Sequence, residues 1–377
     1  MVVTALNPDV GKSLDQLSAR LTGMGRLEEA LEAMEEAVEL QRWFTADHLA
    51  AFSPKLPKYL SILADRLYSL GRREEALQAS QEAVKLWRQA DTDDSTCYTE
   101  AVQCRGLARS LHTLSRTLHN MGCPEQALQA IEEAITLGRL LVVEDPAKFN
   151  HKLAHSLSCL AVYLSDVGRL GEALLAIEEV VELYRQLAAD CLEAFNPNLA
   201  GSLNILSNCL SDVGRHDEAL LAIQEAVKLC RQPAADHLAA FNPDLAGFLN
   251  NLSNRFSDVG RHDEALLAIE EAVKLHQQLA ADHPAAFNPD LAVSLNNLSN
   301  RLSDVGRCDE ALLVIEGAVR LYRQLATDHP AALNSKLAKS INNLAKLLSE
   351  LGREEESLQA AQEAAELILP ISQVTSP

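Results

Sequence analysis

One ten-residue string recurs along this chain, as FNPNLAGSLN at 195–204, FNPDLAGFLN at 241–250 and FNPDLAVSLN at 287–296, and it sets Pro197, Pro243 and Pro289 46 residues apart. A fixed period of this size marks an array whose units each bury one face against the next, so total length no longer predicts the number of domains. Carried backwards, the register passes through His151, Arg105, Pro54 and Pro8. Carried forwards it reaches Ser335, with one irregular step of 51 between Pro54 and Arg105. The chain therefore reads as one array of eight units, at about 8–53, 54–104, 105–150, 151–196, 197–242, 243–288, 289–334 and 335–370, with 371–377 as a tail. The five extra residues around Asp91 to Ser95 are polar and are expected to bulge outward as a surface loop.

A glycine stands in the middle of every unit, at Gly25, Gly71, Gly122, Gly168, Gly214, Gly260, Gly306 and Gly352. It separates two segments of helical period, where a helix can end in the left-handed conformation that costs glycine little. In the seventh unit Leu291, Leu295, Leu298 and Leu302 share one face of the first segment, and Ala311, Leu312, Ile315, Ala318 and Val319 form one stripe on the second. Each unit is thus a hairpin of two amphipathic helices. Asn288 before Pro289, like Asn7-Pro8, Asn196-Pro197 and Asn242-Pro243, is expected to open the first helix as cap and first-turn proline. Two columns hold only Ser or Ala: Ser18 through Ala345 in the first helices, Ala30 through Ser357 in the second. They are expected where the paired helices cross closely.

The order Leu298, Ser299, Leu302, Gly306, Ala311, Ile315, Ala318, and the wording LNNLSNRLSDVGR-x-DEAL around it, resemble the tetratricopeptide repeat (TPR), in its long-helix kinesin-light-chain-like subtype. The resemblance spans almost the whole chain. It departs from the common form in having Leu where Trp and Tyr are frequent, and a period about twelve residues above the usual 34 or so. The extra length falls in the second helix and in the DHPAAFN connection. The resemblance implies an all-α solenoid, a right-handed superhelix with the first helices inside, and a protein-binding scaffold.

Composition narrows the function. Apolar residues make up 47% and aromatics 4%, so the core is built from Leu, Ala, Ile and Val. A formal charge of −20 repels nucleic acid and anionic membranes, no apolar run approaches the roughly 18 residues of a membrane helix, and a cytoplasmic location is expected. The eight cysteines form no C-x-x-C pair and read as reduced thiols. His151 and His155 are the only histidines spaced i, i+4 and do not complete a ligand set of the usual kind, so neither metal nor cofactor is expected. No phosphate loop or nucleophile elbow is present. The Asp-His pairs at 236–237, 282–283 and 328–329 recur with the period, which suits capping and turns rather than a catalytic site; the chain reads as no enzyme.

What remains is the face of the first helices opposite their leucines, which the resemblance places in a groove. Its basic part is Lys12, Lys58, Arg109, His112, Arg116 and His155 in the N-terminal half. Its asparagine part is Asn204, Asn208, Asn250, Asn254, Asn296, Asn300 and Asn342, with Lys346 closing the last unit. Asparagine can both donate to and accept from the main chain of an extended peptide, whatever its side chains. Asn251, Asn297 and Asn343, on the flank, are expected to bond neighbouring helices instead. The expected partner is a protein or peptide with an extended, partly acidic segment. Self-association through the first unit is a further expectation, because Ala5-Leu6-Asn7-Pro8 repeats an inter-unit connection without a capping helix. The opposite end, with Lys336, Lys339 and Glu354 to Glu356, reads as a polar cap. A different class, a sensor segment joined to a nucleotide-switch ATPase or a caspase-like peptidase, is the alternative.

Overall fold

The computed structural model describes residues 10–47, 55–89, 100–190, 192–231, 238–328 and 330–368. Asn7-Pro8, the Asp91 to Ser95 insertion, Asp236-His237, His329 and the 371–377 tail lie outside them. The described residues hold sixteen α-helices and no strand. In the first half they are α1 (Val10–Gly23), α2 (Leu27–Asp47), α3 (Lys55–Ser69), α4 (Arg73–Gln89), α5 (Glu100–Asn120), α6 (Pro124–Glu144), α7 (Pro146–Asp166) and α8 (Leu170–Asp190). The second half has α9 (Leu192–Asp212), α10 (His216–Arg231), α11 (Leu238–Asp258), α12 (His262–Asp282), α13 (Pro284–Asp304), α14 (Cys308–Asp328), α15 (Pro330–Glu350) and α16 (Glu354–Ile368). The chain divides into two compact units, 1–187 and 188–377, each an α-solenoid in which hairpins stack on their sequence neighbours.

The hairpin turns are as the glycines require. All eight have φ between 73° and 80°, a region where a Cβ is strained. The same bonds recur at each turn, as when the Arg26 amide reaches back to the Leu21 carbonyl (2.9 Å) and that of Gly25 to Thr22 (3.0 Å). The carbonyls left open at the helix end are satisfied in this way.

The helix starts differ from the Asn-Pro expectation. The α13 helix begins at Pro284, five residues before Pro289, and Pro289 lies inside it; Pro197 and Pro243 lie inside α9 and α11 in the same way. The competing start is the earlier proline, which occupies the first turn, where a missing N–H leaves no bond unmade. Pro289 then falls in the second turn, forfeiting one amide bond near an open helix end. Most of DHPAAFN is therefore helix, and the joint between hairpins shrinks to one residue, Asp145 or His283. The extra turn carries an aromatic inward: Phe149 is buried. At Asp145 the side chain accepts from the Lys148 amide (3.2 Å), whereas His283 makes no side-chain cap; there the Asp-His pair supplies the turn alone.

The core of the first unit centres on Met34, Leu60, Leu111, Ile131, Leu157 and Ile177, and that of the second on Leu203, Ile223, Leu249, Ile269, Ile315 and Ile341, all fully buried. The small columns sit at the crossings: Ala30, Ala76, Ala127, Ala173, Ala219, Ala265 and Ala311 are 0% exposed. Ser18 donates to the Ala30 carbonyl (2.8 Å) and Ser299 to that of Ala311 (2.9 Å); in the last hairpin the roles reverse, Ser357 donating to Ala345 (2.8 Å). Ala265→Leu has no volume to enter and should lower stability by about 1–3 kcal/mol through overpacking. A denaturant melt with an unchanged midpoint would show that the α11–α12 crossing is slack.

Candidate interaction face of the first helices

Within each unit, successive first helices are joined by polar side chains at one repeating position. Ser61 bonds Ser110 (2.6 Å), His112 Nδ1 lies 3.2 Å from the Ser156 hydroxyl, Asn250 donates to Ser294 (2.7 Å) and Ser340 donates to Asn296 (3.1 Å). The flanking asparagines complete the joint. Asn251 donates to Asn204 (2.7 Å), Asn297 to Asn250 (3.3 Å) and Asn343 to Asn296 (3.0 Å). Asn250 and Asn296 are accordingly buried, at 7% and 8% exposure, and their side-chain oxygens are occupied by the next helix. These two brace the array. Seen along its own axis each lies in the middle of the face opposite the leucines, yet the next first helix covers that middle.

The third column is open instead. Asn208, Asn254 and Asn300 are half-exposed, and none makes a side-chain hydrogen bond within the described residues; Asn342 is exposed. Asn300 and Lys346 line a polar cleft of about 270 Å³ between α13 and α15, together with Ser303, Asp304 and Glu350. Lys346 leans toward Glu350 at 3.7 Å.

In the first unit the basic residues separate into two kinds. Lys58 pairs with Asp15 (2.7 Å) and Arg116 with Asp65 (2.5 Å), so acids on the same face offset both. Lys12 and Arg109 are exposed and make no ion pair among the described residues, and around Arg109 the structure gathers Arg105, Lys148 and Lys152, which the sequence reading missed. Three of these cations ring Phe149: Arg105 at 5.2 Å, Lys152 at 5.4 Å and Lys148 at 5.6 Å from the ring centroid. Burial, then the charges of Arg105, Arg109 and Lys148, push the Lys152 ammonium below its ordinary value. The Arg105 Nε is buried without a hydrogen-bond partner. In a chain with 53 acidic residues, no ion pair is found for this patch of the first unit among the described residues. The missed signal lay in the pairing of α5 with α7, which sets Lys152, and Lys148 on the extra helical turn, opposite Arg105.

His112 and His155 face each other across α5 and α7 with ring centroids 4.7 Å apart. Burial, the neighbouring His155, and then Arg116 and Arg109 hold His112 down to about 3, and burial with the Arg116 and His151 charges lowers His155. Both imidazoles are neutral at pH 7, so the charge of this face comes from Arg and Lys. No helix among the described residues is long and apolar enough to cross a membrane, and no disulfide joins the described cysteines Cys104, Cys123, Cys159, Cys209, Cys230 and Cys308.

Against known proteins, the tetratricopeptide repeat model matches residues 10–42, 58–90, 153–189, 245–285, 291–331 and 337–368, more than half of the chain. A model of anaphase-promoting complex subunit 5 matches 98–144 and 198–241, two of the stretches between. No curated protein matches the sequence. Among solved structures, BtubC (BKLC) from P. vanneervenii is 20% identical with a TM-score of 0.53, over 67% of this chain and 94% of that one. The apo form of RapI is 12% identical with a TM-score of 0.58, over 82% and 97%. A Rap protein complexed with Competence and Sporulation Factor is 11% identical with a TM-score of 0.54, over 96% and 98%. Glycine-turned hairpins, small-residue crossings and the six matched segments agree, and the chain belongs to the tetratricopeptide repeat family.

Proposed function

We propose that this chain is a protein-interaction scaffold that holds an extended partner segment against the open face of its first helices, with acidic partner side chains over the first unit. The observation that carries this reading is the set Arg105, Lys148 and Lys152 around Phe149, with Arg109 beside Lys152, for which no ion pair is found among the described residues of a protein of charge −20. Charges beyond a Debye length of about 8 Å are largely screened at physiological salt, so the local patch outweighs the global repulsion for a segment lying on it. In the second unit Asn208, Asn254 and Asn300 offer donor and acceptor to a partner's main chain, a role for which Asn250 and Asn296 have no free oxygen. A Rap protein of similar fold was crystallised with Competence and Sporulation Factor, which is in keeping with this use of the architecture.

The test is calorimetric titration with the partner segment recovered by affinity capture and mass spectrometry. Arg109→Glu with Lys152→Glu should weaken binding by at least about tenfold and flatten its salt dependence, because two attractive charges become repulsive. Lys58→Glu should matter less, since Asp15 already offsets that charge. Asn254→Ala with Asn300→Ala should weaken binding several-fold with the salt dependence unchanged. If both double variants bind as tightly as the parent, the open face of the first helices is not the site.

A further inference from the structure

Where α9 to α15 stitch successive first helices with an asparagine pair, the corresponding place between α5 and α7 holds His112 and Cys159. The separation of 47 residues equals that of Asn204 and Asn251, Asn250 and Asn297, and Asn296 and Asn343. His155, one helical turn before Cys159, joins them. One ligand atom from each of His112, His155 and Cys159 lies within 4.8 Å of the others. We propose that this trio is a binding site for a thiophilic d10 metal ion, Zn²⁺ or Cu⁺, which neither the fold nor the interaction face requires.

Three features of the site support it. His112 Nδ1 is held by the Ser156 hydroxyl at 3.2 Å, which fixes the ring, while its Nε2 is buried without a hydrogen-bond partner. A buried nitrogen of that kind is unfavourable, and ligation would satisfy it. The ligand spacing is near that of a bound ion: bonds of about 2.0–2.3 Å at tetrahedral angles put ligand atoms roughly 3.3–3.6 Å apart. The ligand atoms, up to 4.8 Å apart, must draw together on binding, and His155 is exposed, so its ring has room to turn. Finally, two imidazoles with one thiolate is a donor set that selects Zn²⁺ or Cu⁺ over Mg²⁺ or Ca²⁺. On binding, the Cys159 S–H bond breaks, its proton passes to solvent, and a sulfur lone pair forms the metal–sulfur bond.

The surrounding charge favours an ion of small net charge. Arg109 and Arg116 face the trio, and Asp65 offsets Arg116. One thiolate leaves Cu⁺ neutral and Zn²⁺ singly positive, with a fourth position on Zn²⁺ left for water.

The experiment uses the chelator-stripped full chain. In one arm Co²⁺, a spectroscopic stand-in for Zn²⁺, is titrated and then displaced by Zn²⁺; in the other Cu⁺ competes anaerobically with a coloured Cu⁺ chelator. Saturation at one ion per chain in either arm is expected, with a thiolate-to-cobalt charge-transfer band in the Co²⁺ arm if Zn²⁺ is the occupant. His112→Asn with Cys159→Asn installs the pair that the other repeats use, so the fold is retained while two ligands are lost, and the saturable binding should vanish. His155→Ala should weaken it by at least about tenfold. Absence of one-to-one binding in both arms, or binding that persists in the Asn-Asn variant, would overturn the proposal.

Discussion

Gly106→Ala should cost this protein more stability than any other single methyl group at a glycine. A Cβ built on Gly106 in α5 would lie 2.2 Å from Cζ2, 2.4 Å from Cε2 and 2.6 Å from Cη2 of Trp87. That indole belongs to α4 and is 3% exposed, so it cannot swing into solvent. Two effects oppose each other. Alanine in a helix interior gains about 1 kcal/mol over glycine, while forced overpacking costs about 1–3 kcal/mol and occasionally more. With three ring atoms inside contact distance of one new carbon, repulsion wins, and a net loss of at least about 2 kcal/mol is expected. Gly138→Ala in α6 is the control: its Cβ would meet only Leu153 Cδ1, at an ordinary 3.5 Å, so it should be neutral or stabilising. The measurement is the denaturant midpoint followed by circular dichroism, repeated in a Trp87→Leu background. There the Gly106→Ala penalty should largely disappear, because the partner of the clash is gone. Equal penalties in both backgrounds would show that Trp87 does not set the requirement for glycine.

Gly106 also shows where the sequence was readable. The turn glycines announced themselves because one backbone region admits glycine readily and a glycine recurs there in every unit; Gly106 occurs once, and nothing nearby in sequence pairs it with Trp87. Helix type and number followed from periodicity, and the alanine columns from the geometry of a close crossing. The helix starts were misread because two prolines compete within six residues, and the one at 284 suits a first turn better than the one at 289. The interaction face was half readable. A helical wheel gives each side chain's direction from its own axis, which separates leucine from asparagine faces. It does not give the position of the next first helix, which decides that Asn250 and Asn296 brace the array while Asn254 and Asn300 stay open. The flanking Asn251, Asn297 and Asn343 do bond neighbouring helices, as their off-centre position suggested. Lys148, Lys152 and Cys159 were missed for the same reason: their importance lies in what α5 presents opposite them.

Acid should weaken the second unit in a window where carboxylates do not yet titrate, through His276. This side chain in α12 is 3% exposed and its Nδ1 lies 2.7 Å from the Ser294 hydroxyl, which also takes a bond from Asn250. Burial lowers the His276 pKa from its ordinary value, and the Asp290 charge opposes that only in part. The folded chain therefore holds a neutral imidazole, whereas the unfolded chain takes up a proton below about pH 6.5. With more protons bound in the unfolded state, stability is fully present above that pH. It falls as pH drops toward the depressed folded value, by up to about 1.4 kcal/mol per pH unit. Tyr184 and Tyr322 occupy the equivalent place in other hairpins, both buried, so His276→Tyr keeps an aromatic ring there and removes the titration. Burial also lowers His112, His151 and His155 in the first unit, and they act in the same direction, so the informative quantity is the difference between parent and variant. Denaturant melts between pH 7 and 5 should give a flatter stability profile for His276→Tyr than for the parent. Parallel profiles would mean that His276 gains its proton without loss, and that the Ser294 and Asp290 side accommodates the charge.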